Sequence, residues 1–317
     1  VSEAFVRSRS AGRPIGVVAC VLAATAIALS ATNACAAPFT AVDDSGRSVS
    51  FERPAERVVT LAPSLTELVF AAGGGAALVG TTALSDFPPA ARKVARIGDA
   101  ARLDVERVLA LRPDLVVVWQ RGATSRELAQ LEAAGVRLFQ LEPRRLDDVP
   151  RAVERLGVLL GHEDEARRAA DDLRRRLDRL RSAHRSAAPI SVFYQVWQQP
   201  LMTINGSHLI DDVIRLCGGR NVFSDLAVLV PVISTEAVVA ADPEAILTAS
   251  ESGSVAAWRR APDDPAFATW RRHDGLAAVR GGTMYTLNGD AISRQGPRVV
   301  DGAEAVCAAL DEARRRR

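Results

Sequence analysis

Two stretches of this chain repeat one another, and the repeat limits what the chain can fold into. Asp104-Val105-Glu106-Arg107-Val108-Leu109-Ala110-Leu111-Arg112-Pro113-Asp114-Leu115-Val116-Val117 matches Ser234-Thr235-Glu236-Ala237-Val238-Val239-Ala240-Ala241-Asp242-Pro243-Glu244-Ala245-Ile246-Leu247 in pattern. In each copy a capping residue opens a short helix, a glutamate sits in its first turn, and a proline turn leads into a buried strand. Asp104 and Ser234 are the caps, with side-chain oxygens suited to the free N–H groups of a helix start. Glu106 and Glu236 stand where the helix dipole favours negative charge. A chain that carries this unit twice is expected to form two related lobes, with the two glutamates at corresponding places on them. Ordinary dipole-complementing glutamates are the alternative.

Elsewhere, short β-branched runs alternate with longer amphipathic segments, the pattern of parallel strands joined by helical crossovers, which predicts an α/β fold. Strands are expected at Arg57–Leu61, Asp114–Trp119, Arg137–Leu141, Ile190–Val196, Ala245–Ala249 and Thr283–Leu287. Ser64 and Glu67 have the spacing of a capping box at the head of the helix after the first strand. Gly73-Gly74-Gly75 reads as that helix's C-terminal cap and turn, because no Lys-Ser or Lys-Thr follows as it would in a phosphate loop. From Leu146 to Ser186 the strand signal vanishes. Ala166, Ala169, Ala170, Leu173, Leu177 and Leu180 keep helical spacing amid dense Arg and Asp, which predicts one long, mostly solvated helix over 164–186. The expected organisation is a leader (1–36), an N-terminal lobe (37–145), a helical connector (146–187) and a C-terminal lobe (188–317).

Arg7, Arg9 and Arg13 precede an apolar run from Ile15 to Ser30 that ends in Ala34-Cys35-Ala36-Ala37, the order of a cleavable secretory signal. The run falls short of the roughly 20 apolar residues that span a bilayer, and no second one follows, so export to the periplasm is expected in place of anchoring. Thr32-Asn33-Ala34 lacks the apolar opening of a lipidation motif, and Cys20 lies too early in the run. A mature chain from near Ala37 has about 280 residues, enough for two domains. Past the leader only Cys217 and Cys307 remain. An even number in a compartment that permits disulfides favours a bridge, with two separate buried thiols as the alternative. The formal charge is +2 and arginines alternate with acids, so no nucleic-acid partner is implied. His162, His184, His208 and His273 show no paired ligand spacing, so no metal site is expected, and His162 and His184 read as solvent-facing residues of the connector.

Three segments together resemble a known family: Arg57-Val58-Val59-Thr60-Leu61-Ala62-Pro63-Ser64 with Thr66-Glu67, Ser85-Asp86-Phe87-Pro88-Pro89, and Leu216-Cys217-Gly218-Gly219-Arg220-Asn221-Val222-Phe223. They are similar to the helical-backbone (class III) periplasmic solute-binding proteins for cobalamin, haem and ferric siderophores, and most to the cobalamin-binding members. The resemblance spans nearly all of the chain past the leader. It implies two Rossmann-like lobes joined by a single long helix, a ligand cleft between them, and delivery of the ligand to the membrane subunits of an ABC importer. It further implies that Cys217 and Cys307 form the family's disulfide, and that Glu106 and Glu236 dock against arginines of the transporter. The chain is expected to act as a monomer with no intrinsic cofactor, cobalamin being the transported ligand.

Ligand contacts are sought among the aromatics, since flat apolar walls with a few polar groups hold a large macrocycle. Phe87 stands where the family has a tyrosine, Trp119 matches a family tryptophan at a strand end, and Trp197 follows the strand 190–196. Asp290 and Arg294 match polar contacts of the family. Plugs in the lobe cores, for the aromatics, and a surface ion pair, for Asp290 and Arg294, are the alternatives. The chain departs from the cobalamin pattern near Gly98-Asp99-Ala100, at about Val230 and at Ala291, each lacking a family tryptophan or aromatic. Tyr194, Trp197 and Met202 are candidate replacements. The departures admit a cobalamin precursor or analogue, or a ferric siderophore; the haem-ligating tyrosine motif is absent. An envelope enzyme built on Ser64 and Asp86 is the competing class, but no nucleophile elbow, Walker loop or dinucleotide fingerprint is present. A structural or adhesive envelope protein, a third class, would have neither cleft nor small ligand.

Overall fold

A computed structural model of the chain describes residues 1–4, 38–99, 102–119, 124–250 and 257–317. The expected leader, 1–36, lies almost wholly outside the described residues. Pro38–Arg317 forms one compact unit, to which everything below refers. No helix among the described residues is long and apolar enough to cross a membrane.

The unit opens with an antiparallel hairpin, β1 (Phe39–Val42) and β2 (Ser48–Phe51). The first sheet holds β3 (Val58–Thr60), β4 (Leu78–Thr81), β5 (Ala95–Arg96), β6 (Leu115–Val118) and β7 (Arg137–Gln140), all parallel, in the order β5-β4-β3-β6-β7. Its helices are α1 (Pro63–Ala71), α2 (Val105–Ala110), α3 (Ser125–Ala133) and α4 (Asp148–Leu160). After α5 (Glu163–His184), the second sheet takes β8 (Ile190–Gln195), β11 (Gly219–Asn221), β12 (Ala245–Ala249), β13 (Trp258–Arg260) and β14 (Met284–Leu287) in the order β11-β8-β12-β14-β13, with β13 alone antiparallel. β9 (Trp197–Gln198) and β10 (Leu201–Met202) make a small hairpin beside it, and α6 (Leu209–Leu216), α7 (Thr235–Ala241), α8 (Ala277–Arg280), α9 (Gly289–Ser293) and α10 (Val299–Arg315) complete the lobe. The chain is α/β with two lobes, as expected. β6 and β8 are buried along their whole length; β6 accordingly reads as an unbroken apolar run, while β8 carries the buried polar residues Ser191 and Gln195.

The repeat folds alike in both lobes. Asp104 accepts a bond from the Arg107 N–H at 2.9 Å and Ser234 from the Ala237 N–H at 3.2 Å, so both caps form. Each short helix then ends on a left-handed residue ahead of the proline, Arg112 at φ 46° and Asp242 at φ 39°. The acid that follows each proline seals the start of the neighbouring strand. Asp114 accepts the Arg57 N–H at 3.1 Å, and Glu244 accepts the Ser191 N–H at 2.7 Å. β6 then pairs with β3, and β12 with β8.

The segment read as one connector contains two helices, α4 and α5. α4 packs on α1 and β1 of the first lobe, while the 22-residue α5 lies along α4 and also reaches α6 and α10. α5 buries Ala166, Ala170, Leu173 and Leu177, one stripe at helical spacing. Its solvent side is tied down by ion pairs, Arg174 to Glu154 of α4 at 2.6 Å and Arg176 to Glu304 of α10 at 2.9 Å. His184, expected to face solvent, instead has a nearly buried ring held by the Leu180 carbonyl at 2.9 Å and Asp311 at 3.1 Å. Cys217, just past α6, is bonded to Cys307 of α10, as the resemblance implies.

Candidate functional site

The two sheets fix where a cleft can form. In a parallel sheet the carboxyl ends of the strands leave a crevice where neighbouring crossovers part to opposite sides. In the first sheet that point lies between β3 and β6, in the second between β8 and β12. Trp119 directly follows β6 and Trp197 follows β8 after one residue, so both leave strands that flank a crevice. The residues after β3 and β4 on one lobe, and after β14 on the other, then meet across the gap.

α1 begins that meeting. Ala62 is its N-cap, without a side-chain bond, and Pro63 takes the first turn, where a missing N–H costs nothing. The expected capping box of Ser64 and Glu67 does not form. Thr66, beside Glu67, is instead locked into a buried ring of hydroxyls with Thr60 of β3 at 2.7 Å and Thr81 of β4 at 2.6 Å. Glu67 faces the second lobe. Its side chain is 2% exposed and takes two bonds from Arg298, at 2.6 and 3.0 Å, and one from Arg294 at 3.2 Å.

Arg294 also reaches Asp86 at 3.0 Å and Asp290 at 2.8 Å, and the Arg298 guanidinium lies 4.3 Å from the centre of the Phe87 ring. Phe87, Asp290 and Arg294 are thereby brought together with three residues not singled out as ligand contacts, Glu67, Asp86 and Arg298. Asp290 and Arg294 do form an ion pair, but it is largely buried and belongs to a network spanning both lobes. Burial opposes the charge on Asp86, yet the bond and charge of Arg294, with the charge of Arg298, hold its carboxyl below the ordinary range. Burial likewise opposes the charge on Arg298, and the Glu67 carboxylate outweighs it, raising the guanidinium's pKa. Asp86, named with Ser64 for the enzyme alternative, is engaged by an arginine of the opposite lobe, and Ser64 lies within α1.

The aromatics divide. Phe87 is 41% exposed and Trp197 is 62% exposed, its indole N–H bonded to the Gln199 carbonyl at 2.9 Å. Trp197 stands opposite Met202 in the β9–β10 hairpin, and Met202 is bridged to Val232, so the three share one face. Trp119 is half-buried against the core. Tyr194, expected to help replace lost aromatics, is a core residue with no exposed face, and Ala291 is buried; Val230 is half-buried. Of the region near Gly98-Asp99-Ala100, Ala100 lies outside the described residues. A cavity of about 190 Å³ between Glu142 and Arg144 of one lobe and Asn205, His208 and Leu229 of the other is smaller than the roughly 300 Å³ that encloses a drug-sized ligand.

Glu106 and Glu236 lie apart from this cleft network, each exposed in the first turn of its helix. The backbone N–H of Glu236 and the Ser234 hydroxyl hold the Glu236 carboxyl below its ordinary range. Among the described residues no group of three or more His, Cys, Asp or Glu is placed to hold a metal ion.

Comparison with known proteins adds family relationships. The family described as periplasmic binding protein matches residues 58–291. A vitamin B12-binding protein of Vibrio cholerae is 34% identical over 258 residues, covering 81% of this chain and 90% of that protein. A vitamin B12-binding protein of Pectobacterium atrosepticum is 35% identical over 262 residues, covering 81% and 89%. The crystal structure of a periplasmic vitamin B12-binding protein of Vibrio cholerae superposes with a TM-score of 0.73 at 34% identity, covering 82% of this chain and 98% of that one.

Proposed function

Since the chain belongs to the family of periplasmic binding proteins, we propose that it captures cobalamin or a related corrinoid in the cleft between its lobes and delivers it to the membrane subunits of an ABC importer. Phe87, Trp119 and Trp197 supply the apolar walls, and Asp290 and Arg294 the polar contacts that orient the ligand. Export is by the leader at 1–36, and Glu106 and Glu236 dock one lobe each on the transporter. The observation that carries the reading is the juxtaposition of the two carboxyl edges: Trp119 and Trp197 leave the strands beside the two crevices, and the Asp290–Arg294 pair lies where the lobes meet.

Isothermal titration of the chain from Ala37 onward, with cyanocobalamin, cobinamide and a ferric siderophore, tests it. Submicromolar corrinoid binding is expected, weakened by about 1–3 kcal/mol in Trp119→Ala and in Trp197→Ala, as for aromatic anchors that binding covers. Binding of the siderophore alone would keep the fold and the transport role and remove the corrinoid. That second reading is favoured by one observation: Ala291 and Val230 put no ring where the resemblance implies aromatics.

A further inference from the structure

Glu67 has no access to a ligand, yet it takes three hydrogen bonds from the opposite lobe. Its side chain is 2% exposed and bound by two arginines that are themselves 12% and 17% exposed. Both arginines come from the opposite lobe, more than two hundred residues along the chain. Arg294 divides its guanidinium among three acids: one end serves Glu67 and Asp86 of the first lobe, and the other serves Asp290 of its own. Arg298 gives a two-pronged bond to Glu67 and stacks on Phe87. Backbone also meets here: a Cβ on Gly296, midway between the arginines, would come within 3.2 Å of the Ser64 carbonyl.

A buried carboxylate with two guanidinium partners tolerates little displacement, because any opening strands charge in a poorly solvated place. Charge-assisted, two-pronged bonds also fix orientation as well as distance. The hydroxyl ring of Thr60, Thr66 and Thr81 anchors the Glu67 end to the first sheet, so the bond joins one sheet's frame to the other lobe.

We propose that Glu67 is a positioning residue: by holding Arg298 and Arg294 it fixes the spacing and tilt of the two lobes, aims Arg294 at the ligand, and sets how fast the ligand leaves. The part concerning the ligand rests on the proposed function above, while the part concerning the lobes stands apart from it. Corrinoid affinity then depends on a residue that never touches the corrinoid.

The test uses Glu67→Gln, which keeps shape and removes charge, and Glu67→Asp, which keeps charge and is one methylene shorter. The distance between spin labels placed one on each lobe is measured in ligand-free protein, and cyanocobalamin dissociation is followed by stopped flow. Glu67→Gln is expected to broaden the distance distribution and to speed dissociation by about tenfold or more, as for a broken buried charge pair. Glu67→Asp should restore part of both, which a purely structural loss would not. If Glu67→Gln does not fold, the Glu67→Gln/Arg298→Met pair, which removes charge and partner together, replaces it with the same expected broadening. A distance distribution and a dissociation rate like the parent's in the charge-removing variant overturn the proposal. A parent protein that binds no corrinoid overturns the corrinoid assignment instead, and the ligand-free distances still decide the role of Glu67.

Discussion

Asp43 shows how a single carboxylate can bind a sheet edge to a hairpin. Its side chain has 0% exposure, a condition that by itself pushes a carboxyl's pKa up. The Ser45 hydroxyl at 2.6 Å and the N–H groups of Ser45, Arg47 and Gln140 at 2.9, 2.9 and 3.2 Å outweigh that burial, and the pKa is lowered. A folded-state pKa below the unfolded value of about 3.9 stabilises the fold above that pH, and the contribution is lost as the pH falls through the folded value. Asp43→Asn is therefore expected to cost about 1–3 kcal/mol at pH 7 and to differ less from the parent at pH 3, as read by urea melts at both. Equal losses at the two pH values would show that charge plays no part. Nothing in the sequence points to this role of Asp43, because Gln140, one of its donors, lies on a strand almost a hundred residues away. The capping box expected of Ser64 and Glu67 fails for the same reason. A Ser-x-x-Glu spacing describes a local bond, and the partners that claim this glutamate are remote.

Among the elements, the strands legible in the sequence are mostly those buried on both faces, the edge strand β7 with its exposed Arg137 being the exception. The expectation for β12 is matched residue for residue, and β3, β6, β7, β8 and β14 fall within their expected ranges. β4 escaped because Gly80 breaks its apolar run. That glycine answers to packing: a Cβ there would come within 2.7 Å of Leu111. β5, β9, β10 and β11 are only two or three residues long, too short for any period to show, and the β1–β2 hairpin packs on α4 and β7. α5 was readable because four buried positions keep helical spacing against a charged background; α4 was folded into the same connector because the turn between them is only two residues. The disulfide belongs to this scale, since it ties the end of α6 to α10 across a sequence separation of 90. Removing both sulfurs, as Cys217→Ala/Cys307→Ala, is expected to cost about 2–5 kcal/mol of stability without changing the secondary structure, checked by urea melts and far-UV circular dichroism. A loss below about 1 kcal/mol would mean that the α6–α10 packing holds the termini of this loop unaided.

For the whole molecule, the internal repeat places one exposed glutamate on each lobe, at the head of equivalent short helices. In the docking role proposed for them, separated carboxylates would supply steering and register more than affinity, and salt would screen them over roughly 8–10 Å. Glu106→Ala or Glu236→Ala is therefore expected to slow association with the transporter most at low ionic strength and to flatten its salt dependence, measured by binding to membrane subunits in nanodiscs. Association rates that match the parent's at every salt concentration would remove the docking role. By itself the sequence determined the α/β class, the two related lobes, the long helix, the caps at Asp104 and Ser234 and the cysteine pair, because each rests on local periodicity, a repeated unit or a count. Only the tertiary structure decided that Glu67 serves Arg294 and Arg298, that Tyr194 is buried while Trp197 is exposed, and that His184 is enclosed. Those outcomes depend on which surfaces two lobes press together, and that is set by the packing of residues far apart in the chain.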